Sequence, residues 1–464
     1  MLIGNDQNFQ CNQLLQKDSI FNDGKALWIN QDYDSSKPID QQRFKIELDS
    51  KNKIKQLTLY EKYIRYSQHV KSTQINQKII LFENSFLDLV HNQQNKLVGF
   101  RLVKYDGSLT IIGECKQWIK MLKKYVIQSD FSRNYKITKK IGNGTFADVY
   151  LVKHKHTNKE YAAKIFYKKK IILEDKELLM ITKEVQITRL FSNPNICQLY
   201  EVFECKVHLT LIMDLLAGSE LVYSLKLGGL SEIQSILIIK PLFQALQLLH
   251  KQGIFHRDIK PQNIMLHQSG KLETACLIDF GLADFWNHKS EYLFSQCGTP
   301  GYVAPEILLG HSYDFKVDVY SLGLVLYLIL TGKEPFQSKT IEGLIEENTY
   351  GHIALSHLNL SPNCLDFLQK VLAKSPNQRL TSQEALIHPF LLFGPGNHLD
   401  LIHNKMQSPE QYISKSQQFR KSVASLRLQT DTSNNQLNQR DIFKKNELER
   451  KDIKKQFSIR KVKL

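Results

Sequence analysis

From Phe44 the chain runs in short alternations of apolar and polar residues: Lys55 to Tyr60, Lys62 to Tyr66, Lys78 to Phe82, Phe100 to Tyr105 and Ser108 to Ile112. A period of two marks strands that bury one face, and Asp106-Gly107 between the last two runs predicts a hairpin turn. From Glu114 to Val126 the period lengthens, so that Trp118, Ile119, Leu122, Tyr125 and Val126 share one stripe of a helix. Strands followed by one terminal helix predict a small β-barrel plugged by that helix. Beyond Tyr135 strand-like runs return. Leu209 to Met213 reads as a buried strand, and Val319 to Leu330 as an apolar helix headed by Asp318. Residues 1–40 and the segment after Phe390 lack periodic apolar positions and are rich in Asn, Gln and Ser, the pattern of a mobile leader and a solvated tail.

Composition adds bounds. With 464 residues, 42% hydrophobic and 10% aromatic, the chain can build large cores in more than one domain, which excludes wholesale disorder. The longest strongly apolar stretch, around Leu322 to Leu330, is about half of the roughly 20 residues a membrane-spanning helix needs. Met1 to Asn12 is polar and lacks a secretory signal's apolar centre, so a cytoplasmic chain is expected. Seven cysteines, at 11, 115, 197, 205, 276, 297 and 364, are scattered without a Cys-x-x-Cys pair and read as reduced thiols; no His/Cys cluster suggests a structural metal. The net charge of +16 is concentrated in the flanks, +5 in residues 1–130 and +8 in residues 391–464, leaving +3 in between. No recognition motif or aromatic ladder accompanies it, so no nucleic-acid partner is expected.

The chemistry is written in an ordered series. Ile141-Gly142-Asn143-Gly144-Thr-Phe-Ala-Asp-Val149 places glycines where backbone amides can approach phosphates. Tyr161-Ala162-Ala-Lys164 then ends a strand with a lysine. Gly253-Ile-Phe-His-Arg-Asp258-Ile-Lys260-Pro-Gln-Asn263 combines a carboxylate, a cation and an amide, and Asp279-Phe-Gly281 follows the apolar Cys276-Leu-Ile278. Gly298-Thr299-Pro-Gly-Tyr-Val-Ala-Pro-Glu306 completes the set. Each triplet alone is weak; the fixed order is specific.

On these motifs residues 135–390 resemble a eukaryotic protein kinase. The resemblance implies an α+β bilobal fold, with a β-rich N-lobe over a helical C-lobe, and Mg-ATP as the phosphoryl donor to a protein substrate. It further implies a role for each residue. The Gly142/Gly144 loop, with Ile141, Asn143 and Val149, covers the nucleotide. Lys164 binds the α- and β-phosphates and is fixed by a glutamate on the next helix, Glu184 rather than Glu177, because Glu184 stands at the family's distance from Pro194. Ala162 and Met265 sandwich the adenine, backbone groups of Asp214 and Leu216 meet its edge, Met213 gates the pocket behind it, and Glu220 binds ribose or a substrate arginine. Asp279 and Asn263 hold Mg²⁺. Asp258 accepts the substrate hydroxyl proton, Lys260 meets the γ-phosphate in the Ser/Thr-directed manner, and Thr299 hydrogen-bonds both. Asp318 and the Glu306–Arg379 pair are structural by the same resemblance.

Departures and flanks qualify this. Ala147 replaces the third glycine of the loop, Gln262 stands where arginine-directed relatives carry Glu, and Leu282 favours serine over threonine. Ser295 sits at the position phosphorylated in relatives, with Arg257 as the guanidinium for the phosphate. Gly301 points to the calcium/calmodulin-dependent-like group. Residues 41–128 resemble a pleckstrin-homology (PH) domain, implying a phosphoinositide or protein partner, membrane recruitment, and a phosphate-facing role for Lys51, Lys53 and Lys55, which fall in the stretch corresponding to that family's loop between the first two strands. Phe419 to Leu428 is a short basic amphipathic piece similar to calmodulin targets or a pseudosubstrate. The rival reading is a catalytically idle kinase-like scaffold anchored by the PH-like domain. The retained Lys164, Asp258 and Asp279 oppose it, as the intact Gly298–Glu306 segment opposes a small-molecule kinase.

Overall fold

A computed structural model describes residues 28–29, 40–48, 51–59, 63–68, 76–104, 107–144, 147–171, 175–218, 220–221, 229–286 and 297–395. The leader through residue 27, Asp106, Ser295 and the Phe419–Leu428 piece lie outside the described residues. The chain divides into two compact units, Met1–Ser192 with Gln198–Leu215, and Asn193–Cys197 with Leu216–Leu464.

The first unit is built on one sheet. Its strands are β1 (Trp28–Ile29), β2 (Asp40–Leu48), β3 (Lys51–Leu59), β4 (Tyr63–Gln68), β5 (Asn76–Leu81), β6 (Phe86–His91), β7 (Leu97–Lys104) and β8 (Gly107–Ile112). After helix α1 (Lys116–Leu122) come β9 (Ile127–Gln128), the short helix α2 (Phe131–Asn134), β10 (Tyr135–Asn143), β11 (Ala147–His154) and β12 (Glu160–Tyr167). Helices α3 (Lys168–Ile171) and α4 (Asp175–Arg189) precede β13 (Leu199–Glu204) and β14 (His208–Met213). The strand order is β1-β5-β4-β3-β2-β8-β7-β6-β9-β13-β14-β12-β11-β10.

Alternation explains the first half. Leu57, Leu59, Ile64, Ile80, Phe100, Leu102, Leu109 and Ile111 all turn inward, and Trp118, Ile119 and Leu122 of α1 complete one apolar cluster with them. The helix is shorter than the Glu114–Val126 stripe, ending at Leu122, although Val126 is still buried. Lys104 pairs with Gly107, so Gly107 belongs to β8 rather than to the expected turn. Lys51, Lys53 and Lys55 lie in β3, paired with Leu48, Ile46 and Phe44, and not in the loop before it. Parallel strand β9 is bonded on one side to β6 through Phe86 and on the other to β13 through Val202 and Phe203, which makes the sheet continuous.

The second unit is helical. Helix α5 (Glu232–Lys251) starts at a capping box in which the Ser231 hydroxyl accepts from the Gln234 amide and the Gln234 side chain reaches back. Among the described residues it is the one helix long and apolar enough to cross a membrane, and half of that span is buried within the fold, as for a core helix. Two short ladders follow, β15 (Ile254–Phe255) with β18 (Asp284–Phe285), and β16 (Ile264–Leu266) with β17 (Ala275–Leu277). Helices α6 (Pro305–Leu308), α7 (Lys316–Thr331), α8 (Ile341–Tyr350), α9 (Pro362–Val371), α10 (Ser382–Leu386) and α11 (Pro389–Phe393) complete the unit. α7 is buried from Val317 to Leu330, which is why its sequence is apolar all round.

Candidate active site

In the first unit the candidate nucleotide-binding residues lie on β10 to β14. The Gly144 amide donates to the Ala147 carbonyl at 2.7 Å, closing the turn between β10 and β11; Thr145 and Phe146 are outside the described residues. Across the strands Gly142 pairs with Val149, and Val149 with Lys164, so loop and lysine lie side by side. A register shift between Lys140 and Gly142 lets the strand bend into the turn. Ile141 and Asn143 flank Gly142 on β10, and Asn143 pairs with Asp148. The Lys164 ammonium meets Glu184 Oε1 at 2.5 Å, with Glu184 almost wholly buried in the middle of α4. Glu177 is two turns earlier on that helix. Ala162 pairs with Met213 on β14. The Asp214 amide donates to the Gln198 carbonyl at 3.1 Å, and its carboxylate accepts from the Tyr200 hydroxyl at 2.7 Å and the Gln198 amide at 3.0 Å. That side-chain clamp was invisible in the sequence, because Tyr200 and Gln198 carry no motif.

In the second unit the Asp258 carboxylate is the centre. Its Oδ1 accepts from the Thr299 hydroxyl at 2.7 Å and from the Lys260 ammonium at 3.0 Å. Its Oδ2 accepts from Lys260 and from the Asn263 amide nitrogen, each at 2.8 Å. Lys260 also donates to Thr299 Oγ1 at 2.6 Å. The Asn263 nitrogen is further bonded to the Asp258 carbonyl at 2.8 Å, which fixes the amide's orientation. Asp279 lies at the exposed turn after β17, its Oδ1 accepting from the Gly281 amide at 3.2 Å. The Ile278 amide donates to the Asn263 carbonyl at 2.9 Å, tying the two candidate metal-binding segments together. Met265 on β16 forms a bridge with Glu220, and the Gly218 amide donates to the Leu266 carbonyl at 3.0 Å. A Cβ at Gly218 would stand 2.4 Å from that carbonyl oxygen, so the close approach requires glycine. Leu216 precedes this pairing and is half-buried.

A buried frame supports the centre. Asp318, at the head of α7 and 1% exposed, accepts the backbone amides of His256 and Arg257 at 2.9 Å each, and His250 Nε2 lies 3.0 Å from it. Burial pushes its carboxyl up, but the histidine contacts and amide bonds outweigh that and leave it below the ordinary carboxylate range. His256 is wholly buried against Phe280, and burial holds its imidazole neutral by lowering its pKa. Arg257 donates from Nε to the Leu282 carbonyl at 2.8 Å and from Nη2 to Asp284 at 3.2 Å. Asp284 as the arginine's partner went unread in the sequence; the acid lies in a segment whose pairing with β15 only the fold reveals.

Bound oxygen chemistry fits these residues. Among the described residues no group of three or more His, Cys, Asp or Glu could hold a metal unaided. A magnesium ion retains waters and shares its shell with phosphates, so one carboxylate and one amide oxygen suffice for the protein's part. With the Asn263 nitrogen committed to Asp258, its oxygen is the group left to offer.

A family model described as "Protein kinase domain" matches residues 135–391. The chain is 37% identical over 281 residues to the serine/threonine-protein kinase cds1 of Schizosaccharomyces pombe, covering 58% of this chain and 60% of that protein. It is 35% identical over 266 residues to the calcium/calmodulin-dependent protein kinase type I of the same yeast, covering 55% of this chain and 78% of that one. To the human calcium/calmodulin-dependent protein kinase type IV it is 33% identical over 286 residues, covering 60% and 58%. The chain thus spans about three fifths of the length of two of these relatives.

Proposed function

From the premise that this chain belongs to the protein kinase family, we propose that it is an active enzyme moving the γ-phosphoryl group of ATP onto serine or threonine hydroxyls of proteins. The family's fold is bilobal, with a β-rich sheet and a helical part, and its catalysis is ATP- and Mg²⁺-dependent. The observation that carries the activity is the Asp258 carboxylate held at once by Lys260, Thr299 and Asn263.

In this reading the substrate oxygen bonds to the γ-phosphorus as the bond to the β,γ-bridging oxygen breaks. ADP departs with that electron pair, and the hydroxyl proton passes to an Asp258 carboxylate oxygen. Lys260 and Thr299 fix the carboxylate's direction, so it points a base at the acceptor at no reorganisation cost. Lys164, aligned by Glu184, offsets charge on the α- and β-phosphates. Mg²⁺, held by Asp279 and Asn263, would neutralise phosphate charge when bound. Ala162, Met213 and Met265 supply apolar surface for the base, Asp214 and Leu216 supply backbone groups for its edge, and Ile141, Gly142, Asn143, Gly144 and Val149 form the cover. Glu220 contacts ribose or a basic substrate residue. Transfer of label from [γ-³²P]ATP to a peptide library tests the reading. Asp258→Asn should lower turnover by about 10² to 10⁴-fold, the usual weight of a positioned base, and an unchanged rate would remove Asp258 from the chemistry.

Residues 41–128 we read as PH-like. Seven antiparallel strands in the order β5-β4-β3-β2-β8-β7-β6, closed by a helix with a buried tryptophan, support this. Lys51, Lys53 and Lys55 all fall within β3, a run of cations whose chemistry suits a phosphoinositide head group. Sedimentation with vesicles containing phosphatidylinositol phosphates tests it; equal sedimentation with neutral vesicles would count against a headgroup site. Membership of the calcium/calmodulin-responsive group rests on the names of two relatives and on Gly301. Activity unaltered by Ca²⁺ and calmodulin would exclude that regulation.

A further inference from the structure

The glutamate that aligns Lys164 sits on α4, and α4 is held from two sides. Glu184 faces β12; Arg189, the last residue of the helix, lies five residues on, roughly 140° around the helix at 3.6 residues per turn. There the Arg189 guanidinium, 1% exposed, donates from Nη1 to Asn84 Oδ1 at 2.6 Å. Asn84 belongs to the turn between β5 and β6, 105 residues away in sequence and outside the segment matched by the kinase family. We infer that Asn84 and Arg189 are positioning residues for phosphoryl transfer, by which the N-terminal strands hold α4 and keep Glu184 on Lys164. The inference rests on the kinase reading and goes beyond it, since it gives the segment before the kinase domain a share in the catalytic geometry.

Three observations support the clamp. First, the Asn84 turn is itself fixed: its φ is 59°, its amide donates to the Tyr125 carbonyl at 3.1 Å, and the Ile127 amide donates to the Ser85 carbonyl at 2.9 Å. Through Ile127 and Gln128 that turn is continuous with β13 by strand pairing. Second, further polar contacts cross the same seam. The Lys124 ammonium donates to the carbonyl of Phe191, just past the end of α4, at 2.9 Å. Lys123 and Gln128 both donate to Glu201 of β13 at 3.0 Å. Third, a cavity of about 430 Å³ opens beside them, lined by Leu59, Phe82, Tyr125, Ser192 and Tyr200 among others. Apolar packing is therefore interrupted along this part of the seam, which leaves the polar contacts beside it a larger share of the connection. Burial lowers the Arg189 pKa to about 10, so the guanidinium remains charged at neutral pH. A buried cation is tolerated only where acceptors stay in place, which makes the end of α4 sensitive to the Asn84 oxygen.

The test uses the full chain. Asn84→Gly removes the acceptor while accepting the positive φ, Asn84→Asp keeps an acceptor oxygen, and Leu57→Ala weakens the same N-terminal core away from the seam. For each, kcat and KM for ATP are measured well below the melting temperature, together with hydrogen exchange of α4 amides. The expected result is a fall of about tenfold in kcat/KM for Asn84→Gly, within the usual range of coupling between sites, with faster exchange over Leu178–Arg189. Asn84→Asp should restore both to within about threefold, and Leu57→Ala should alter melting but neither readout. The clamp is overturned if Asn84→Gly matches wild type, if it loses no more activity than Leu57→Ala, or if Asn84→Asp fails to restore it. Should the wild-type chain show no turnover at all, the kinase reading fails separately. Exchange then decides the clamp, unchanged α4 protection in Asn84→Gly overturning it.

Discussion

Replacing Arg379 by alanine should cost the second unit more than any surface change, and the amount can be worked from its bonds. Nη1 and Nη2 donate to Glu306 at 2.5 and 3.0 Å, and the remaining N–H groups to the carbonyls of Ala373, Lys316 and Lys374 at 2.9, 3.1 and 3.1 Å. All five guanidinium donors are thus satisfied in a place where the Arg379 side chain is 0% and Glu306 5% exposed. Truncation strands the Glu306 carboxylate in that site, and the uncompensated charge dominates the loss, at about 3–5 kcal/mol. Loss of packing against the Tyr320 ring, 4.8 Å from the guanidinium carbon, acts in the same direction. At roughly 2–4 °C per kcal/mol for a domain of this size, the melting temperature should fall by about 6–20 °C. Scanning calorimetry or circular dichroism reads this directly. The double variant Glu306→Leu/Arg379→Met should lose less than the sum of its singles, because it leaves no charge behind. An Arg379→Ala protein melting within about 2 °C of wild type would refute the argument.

Three further outcomes are expected. Thr299→Ala removes the hydroxyl between Lys260 and Asp258 and should lower kcat about 10- to 100-fold with little effect on melting, measured by peptide phosphorylation; a melting change alone would make Thr299 merely structural. Asp318→Asn weakens the acceptor for the His256 and Arg257 amides and should lower both stability, by about 1–3 kcal/mol, and turnover; loss of stability with full kcat would separate that frame from the catalytic loop. His388 caps α11 by accepting the Phe390 amide on Nδ1 at 3.2 Å, so the proton on Nε2 faces Asp366 at 2.9 Å. Burial lowers its pKa from the ordinary 6.5 although Asp366 pulls the other way, so the unfolded chain binds the proton first as pH falls. Stability from this cap is present above about pH 6.5 and lost below it. His388→Asn should therefore show a flatter melting temperature between about pH 7.5 and about pH 5, and a steeper decline would contradict the assignment.

What the sequence made legible follows the range of each interaction. Asp258, Lys260 and Asn263 lie within one short segment, so their convergence is local backbone geometry, and Thr299 could be added from the order of motifs. Glu177 and Glu184 lie two turns apart on nearly the same helix face, so it is position along the axis, fixed in the sequence by the distance to Pro194, that puts Glu184 on Lys164. Strands β3, β4, β5, β7 and β8 stood out through alternation, whereas β6 has adjacent buried residues followed by adjacent exposed ones and hides its period. β9 has two residues and no period; only its parallel pairing on both sides identifies it. Distant contacts that no motif carries left no trace. Asn84 with Arg189, and Tyr200 with Asp214, join ordinary residues whose partners the fold alone selects. The three lysines of β3 were misplaced into a loop because their alternation reads equally well as polar spacing.

The backbone takes up its least common conformations beside the candidate catalytic residues. Among the described residues five other than glycine have positive φ: Asn84, Asn95, Asn158, Arg257 and Asp279. Asparagine tolerates that region through its short polar side chain, so the first three need no special support. Aspartate shares that tolerance, so the cost of about 1–3 kcal/mol falls chiefly on Arg257, which precedes the candidate base, while Asp279 is the candidate metal ligand. The support is visible for Arg257. The buried Asp318 takes its amide and that of His256, while the Arg257 side chain is bonded at Nε and Nη2 to the Leu282 carbonyl and to Asp284. Leu282 and Asp284 lie three and five residues past Asp279, so one arginine side chain ties the two left-handed positions together. The buried Asp318 thereby sets the direction of the candidate base, since Asp258 leaves the left-handed residue along a path Asp318 fixes. It also follows that Arg257 is already engaged before any phosphate is added to the loop. A negative group arriving there must compete with Asp284 for the guanidinium, and the gain from such a modification is the difference between two ion pairs rather than the whole of one.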